Sequence, residues 1–311
     1  MSKASSKVKL IRSCSIWRAL EIVGDTPTLL ILESYWLGAR RFDEFCKETG
    51  LLKTVVSDRL KRLVSNECMI KVAYSDNLKR FEYRGTEKFV ALFPLALAML
   101  NWERKWSEKP DALSVELTHK KCGQLSEPEA TCKACHALIR PEDVIWSEGP
   151  GAGFNESMYR RRRRQTARPV NRLLDDVVRI IGDRWATLIL RSLFSGVSQF
   201  QEILTDTAIA TNILSARLSE LSDAAVICSQ AVPGDSRRIE YRLTDKGLSL
   251  FPIIVALMAW GDEWLPTPNG APQILTHQLC EHPLKIKMAC SACREQVHPQ
   301  DTVYKLTLLE K

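Results

Sequence analysis

No apolar run in the 311-residue sequence approaches the ~18 residues a membrane-crossing helix needs, which excludes transmembrane readings. The opening stretch, MSKASSKVKLIRS, lacks the apolar centre of a secretory signal, and the expectation is a cytosolic chain. That stretch also lacks any acid: Lys3, Lys7, Lys9 and Arg12 stand unopposed. What is present is ordinary for a globular protein with true cores, at 45% hydrophobic and 26% charged, and the length suggests about two domains.

The net charge of +7 is unevenly placed. Between residues 155 and 172, Arg160, Arg161, Arg162, Arg163, Arg164, Arg168 and Arg172 face only Glu156, so tail and connector together exceed the whole net charge and the rest is slightly acidic. Basic segments of this kind follow nucleic-acid phosphates or serve as solvated tethers, and composition leaves both open.

The strongest signal is self-similarity at an offset of 158 residues. Ile22 to Ser34 matches Ile180 to Ser192, SDRLKRL from Ser57 matches SARLSEL from Ser215, and RFEYRGTEK from Arg80 matches RIEYRLTDK from Arg238. Trp102 and Trp106 match Trp260 and Trp264, with no insertion from Gly24 to Asp143. One module is duplicated, and the Gly- and Arg-rich stretch between the copies reads as a linker.

Each copy gives an apolar helix ending before Gly38 or Gly196, a short helix at Arg41 to Lys47, and a third helix from Thr54 to Ser65 or Thr211 to Ser222. Val56, Leu60 and Leu63, like Leu214, Leu218 and Leu221, form one buried stripe, with Thr54 and Thr211 expected as N-caps. Two strand-like runs follow, Met69 to Tyr74 with Arg80 to Arg84, and Ile227 to Val232 with Arg238 to Leu243. Thr86 and Thr244 are then expected to cap one long helix that contains Pro94 or Pro252. The pattern is a winged helix-turn-helix, mainly α with small β-hairpins, occurring in tandem. Its third helix offers a polar face to the major groove.

After each unit comes H-x2-C-x9-C-x2-C: His119, Cys122, Cys132 and Cys135, then His277, Cys280, Cys290 and Cys293. Each run is expected to close its own tetrahedral zinc site, two structural ions in all. Free thiols, or core histidines with another fourth ligand, are the alternatives. His136 is a spare candidate, but its counterpart is Arg294. With no open position and no adjacent base, catalysis is not expected.

These motifs resemble the HxlR-type family of bacterial winged-helix regulators. The second copy carries IIGDRWATLILR, GVSQF, LSARLSEL, RRIEYRLTDKG and LFPIIVALMAWGDEW. The first carries CSIWRALEIVGD, GARRFDEF, VVSDRLKRLV and RFEYRGTEK. The first is the more degenerate: Thr26-Pro27 stand where Arg184-Trp185 do, Gly85 and Phe89 where Leu243 and Gly247 do, and Glu103 where Gly261 does.

The expected domains are 14–111 and 171–269 as winged helices, 112–147 and 270–311 as ribbon segments, and 148–170 as linker. The resemblance implies a sequence-specific, repressor-like transcriptional regulator of the bacterial nucleoid, not an enzyme. Its partner would be double-stranded DNA, with no membrane and a small-molecule effector of unspecified chemistry. It would act as a monomer with two readers or as a homodimer; a protein-interaction or scaffolding module is the alternative.

DNA contacts are expected from Thr54, Ser57, Arg59, Lys61 and Arg62 and from Asn212, Ser215 and Arg217, with Lys79, Arg80, Arg237 and Arg238 on the wings. Arg160 to Arg164 would add linker contacts. For Arg59 and Arg217, which resemble the family's shared arginine, an ion pair to a neighbouring helix is the competing reading. Cys14 matches a cysteine that senses oxidants or electrophiles in some relatives; an inert buried thiol is the other possibility.

Overall fold

The computed structural model describes residues 10–73, 81–107, 113–156, 173–232 and 235–308. The first unit runs β1 (Leu10–Arg12), α1 (Ser15–Val23), α2 (Thr26–Trp36), α3 (Phe42–Thr49), α4 (Lys53–Ser65), β2 (Met69–Ala73), β3 (Phe81–Gly85), α5 (Glu87–Val90) and α6 (Phe93–Trp106). Its ribbon follows as β4 (Leu113–His119), β5 (Gln124–Leu125), β6 (Glu129–Cys132), β7 (Val144–Glu148) and β8 (Phe154–Glu156). The second unit repeats the order with α7 (Asp176–Ile181), α8 (Arg184–Phe194), α9 (Phe200–Thr207), α10 (Thr211–Asp223), β9 (Ile227–Val232), β10 (Asp235–Leu243), α11 (Asp245–Leu248) and α12 (Phe251–Trp264). Its ribbon is β11 (Gln273–His277), β12 (His282–Pro283), β13 (Ile286–Ala289) and β14 (Thr302–Leu308). Each hairpin, β2–β3 and β9–β10, is antiparallel and forms the wing.

Two local expectations are corrected. Thr54 and Thr211 are not N-caps: α4 starts after Leu52 and α10 after Ala210, so both threonines already lie inside the first turn. The capped helix is also not continuous. Thr86 and Thr244 do accept the backbone N–H of Phe89 and Gly247, but the caps open only the four-residue α5 and α11. Pro94 and Pro252 then sit in the first turn of α6 and α12, where a missing N–H costs nothing.

The two units are related by an approximate twofold axis. Asp25 and Asp183, equivalent under the 158-residue offset, bridge each other antiparallel, so the axis passes between them. The Trp102 indole donates to the carbonyl of Lys246 at 3.1 Å, and the Trp260 indole donates to Lys88 at 2.8 Å, the same contact made twice. The terminal helices are exchanged as well: α1 packs on α12, and α7 packs on α6. This reciprocity is what a twofold interface between two copies produces, here inside one chain.

The ribbons are exchanged more completely. β4 pairs with β14, β11 with β7 and β6 with β13, so these three ladders join one ribbon to the other, while β8 pairs with β1. His119 pairs with Thr302 and His277 with Val144, equivalent registers across the axis. Among the described residues, neither ribbon forms a sheet of its own beyond the β4–β5 and β11–β12 hairpins.

The departures of the first unit are concerted. A side chain at Gly85 would overlap the Phe89 ring, so Gly85 with Phe89 exchanges small for large against Leu243 with Gly247. Phe89 fills the space with Tyr35, Trp36 and Phe93 in an aromatic cluster at centroid distances of 4.5–5.5 Å. At the other departure, the buried Glu103 accepts the N–H groups of Asp175, Asp176 and Val177 and so caps α7. Its counterpart Gly261 instead lets the backbone of Ser15 approach α12.

Candidate nucleic-acid interface and metal centres

The cysteine and histidine ligands assemble, but in a different grouping from the one the spacing suggests. His119 and Cys122 meet Cys290 and Cys293, while His277 and Cys280 meet Cys132 and Cys135. Each centre therefore takes H-x2-C from one repeat and C-x2-C from the other. The cause is the strand exchange: β6 lies against β13, which carries each CxxC turn across the axis to the opposite histidine.

In one centre the His119 Nδ1 lies 3.5 Å from Cys122 Sγ and 3.3 Å from Cys293 Sγ, and Cys122 Sγ lies 3.8 Å from Cys290 Sγ. In the other, His277 Nδ1 lies 3.3 Å from Cys135 Sγ and 3.4 Å from Cys280 Sγ, with 3.9 Å between Cys132 and Cys280. A tetrahedral zinc ion with ordinary bond lengths has edges of about 3.8 Å between sulfurs and about 3.5 Å between nitrogen and sulfur. Both sets match.

Both histidines and the leading cysteines, Cys132 and Cys290, are buried. Burial by itself opposes ionisation of the Cys290 thiol. The Ser126 hydroxyl and the N–H groups of Cys293 and Ala292 outweigh it and lower the thiol to about 6. Cys132 is lowered likewise by its own turn's N–H groups. The thiolate is the metal-binding form, so these turns are prepared for a cation. All four positions are protein ligands, which leaves none for substrate. His136 is exposed and pairs with Lys287 instead of joining a centre.

The arginines of the third helices are ion-paired. Arg59 Nε donates to Asp25 at 3.0 Å, Arg62 to Asp25 at 2.7 Å, and Arg217 pairs with Asp183 at 2.7 Å. Arg62 also donates to the Ile22 carbonyl and the Thr28 hydroxyl, and all three arginines are largely shielded. For Arg59 and Arg217 this is the ion pair to a neighbouring helix that competes with DNA contact. They anchor α4 and α10 to aspartates that already cap α2 and α8, because a guanidinium shielded from water needs a counter-charge beside it. The same aspartates form the bridge on the twofold axis, so both third helices hang from one central pair.

Burial tends to raise the Asp25 carboxyl, yet Arg62 and Arg59 hold it down at about 2. Since this lies below the ordinary carboxylate value, the stabilisation is complete at neutral pH and disappears as pH falls from about 4 toward 2, about 2 kcal/mol in all. Asp25→Asn should accordingly lower the urea midpoint at neutral pH and remove that acid-dependent loss. An acid limb identical to the parent's would show that the pair contributes nothing.

On the outward face of α4, Lys53, Thr54, Asp58 and Lys61 are exposed and Ser57 is half-buried; on α10, Thr211, Asn212, Ser215, Ala216 and Ser219 are exposed. Lys53, with Lys61 and Arg62, makes the third helix of the first unit the more basic of the two. On the second wing Arg238 is exposed and donates to Gln199 at 2.7 Å. Lys79, Arg80, Arg160 to Arg164 and the side chain of Arg237 lie outside the described residues. Cys14 is 3% exposed at the start of α1, as the buried-thiol alternative has it. No helix among the described residues is long and apolar enough to cross a membrane.

The HxlR-like helix-turn-helix family model matches residues 22–111 and 180–269. An uncharacterized HTH-type transcriptional regulator of Mycobacterium bovis is 38% identical over 137 residues, which is 44% of this chain and 87% of the relative. Another such regulator, YvaP of Bacillus subtilis, is 37% identical over 92 residues, 29% of this chain and 85% of the relative. A solved structure, PA1607, covers 42% of this chain and 92% of its own length at 34% identity and a TM-score of 0.38. The two regulators are each matched over most of their length by less than half of this chain, as expected if two such units are fused here.

Proposed function

Because the chain belongs to the HxlR-like helix-turn-helix family, we propose that it regulates transcription by binding double-stranded DNA as a dimer built within one chain. The observation that supports this most directly is the Asp25–Asp183 bridge, which sets two winged helices in the reciprocal arrangement that two-reader proteins need. Repression would follow from occupancy of a promoter by the paired helices. A gel shift on genomic fragments tests the reading, and affinity no better than for scrambled DNA would overturn it.

Zinc is the metal that best suits the two centres. Three sulfurs and one imidazole favour a soft or borderline ion, and the donor spacing fits a tetrahedron. The ions would hold the exchanged ribbons together and take no part in chemistry. Arg160 to Arg164 belong to the same proposal as phosphate contacts. Their replacement by alanine should weaken binding to any DNA and flatten the dependence of log affinity on log salt by about 0.9 for each phosphate no longer neutralised. Sequence preference should survive, since backbone contacts carry no base information. An unchanged salt slope in titrations at several ionic strengths would reduce the run to a tether.

A further inference from the structure

Duplication has preserved the scaffold of the two third helices and changed what they present. Under the 158-residue offset one anchoring pair is repeated, Asp25 with Arg59 as Asp183 with Arg217, while the added anchor Arg62 stands opposite Glu220. The buried stripe is equally kept, Leu60 with Leu218 and Leu63 with Leu221. Outward-facing positions behave oppositely. Lys53 stands opposite Thr211, Thr54 opposite Asn212, Asp58 opposite Ala216 and Lys61 opposite Ser219; only Ser57 and Ser215 agree.

From this contrast we infer that the chain reads an asymmetric operator made of two unlike half-sites. The inference rests on the DNA-binding reading above. A homodimer carries two identical readers about its axis, so its operator must be a palindrome. Here the backbone axis is kept by the Asp25–Asp183 bridge and the reciprocal indole bonds, while the reading faces break it.

The side chains indicate what each half prefers. On α4 the ammonium groups of Lys53 and Lys61 suit the O6 and N7 acceptors of guanine, while the Asp58 carboxylate is held by Arg59. On α10 the Asn212 amide matches the N6 and N7 edge of adenine, and the Ala216 methyl suits the methyl of thymine. A G·C-biased half-site next to an A·T-biased one is the consequence. Because such a site has a direction, the bound protein takes one orientation on it, with its first unit always over the same flank.

Selection from random double-stranded DNA by the full chain tests this, run beside two grafted variants. The first graft gives α4 the face of α10 (Lys53→Thr, Thr54→Asn, Asp58→Ala, Lys61→Ser). The second does the reverse (Thr211→Lys, Asn212→Thr, Ala216→Asp, Ser219→Lys). All eight positions are exposed, and matching melting curves establish that the variants fold. The parent should enrich two unlike halves, each graft should enrich a palindrome of the half it retains, and each should bind the parent's operator on the order of tenfold more weakly or worse. A palindrome enriched by the parent, or motifs that the grafts leave unchanged, would overturn the inference while leaving DNA binding intact. No enrichment by any of the three would overturn the DNA-binding reading, and this inference with it.

Discussion

Cys122→Ser combined with Cys290→Ser should leave one zinc ion per chain, whereas Cys122→Ser combined with Cys132→Ser should leave none. The first pair sits in a single centre and spares the other; the second removes one ligand from each. Ligand sets closed within each repeat would give the reverse result, so metal analysis of these two proteins under reducing conditions decides between the groupings. The stability effect should also be large. A structural zinc site contributes on the order of 10 kcal/mol in small zinc-dependent domains, because the ligands are assembled only in the fold. Here β4, β6, β7 and their partners already pair across the axis, so part of that assembly persists without metal. A loss of several kcal/mol, or roughly ten degrees in melting temperature, is expected for the metal-free protein. Because each ion joins one repeat to the other, chelation should also increase proteolysis between the ribbons. Equal melting temperatures with and without chelator would mean that the exchanged strands alone hold the ribbons.

Much of this architecture was legible in the sequence because the duplication displays each element twice. The apolar stripe of α4 and α10, both wings and the Thr86 and Thr244 caps follow from local pattern and capping chemistry, which act within a few residues. What was not legible depended on contacts between the copies. A fixed spacing such as H-x2-C-x9-C-x2-C names the ligands but cannot say whether the chain between them folds back or crosses over. Arg59 and Arg217 were ambiguous for a related reason: a guanidinium on a third helix suits phosphate and aspartate equally well, and the ion pairs depend on where α2 and α8 lie. Two departures of the first unit were opaque for the same reason. Gly85 with Phe89, and Glu103 against the start of α7, make sense only once their spatial partners are known. The helix α1 has no local signal of its place in the fold, because its partner, α12, lies about 240 residues away in sequence.

Asp206→Ala should be among the most destabilising single changes in the second unit. Arg191 on α8 is 0% exposed, and its charge is met by Asp206 on α9 at 2.7 Å. The same carboxylate accepts from the Ser192 hydroxyl at 2.6 Å and from Arg12 of β1 at 3.2 Å. The Nε and Nη1 of Arg191 are buried without a hydrogen-bond partner among the described residues, so the guanidinium has no second acceptor to turn to. Removing Asp206 strands a cation in the core, at a cost of about 3–5 kcal/mol. Arg191→Met removes the charge but keeps an apolar stem of similar reach, and it leaves Asp206 paired with Arg12 and Ser192, so its cost should be clearly smaller. Adding Arg191→Met to Asp206→Ala should then recover part of the loss, since no unpaired charge remains to be buried. The corresponding positions in the first unit are Glu33 and Glu48, and the buried Glu33 accepts the backbone N–H of Leu173 instead, so no equivalent pair exists there. The consequence for function is directional. α9 and α10 form the helix-turn-helix of the second unit, so loosening α9 should weaken the A·T-biased half-site before the other. Urea unfolding of the three variants measures the energies, and Asp206→Ala within about 1 kcal/mol of the parent would mean that water reaches and solvates Arg191.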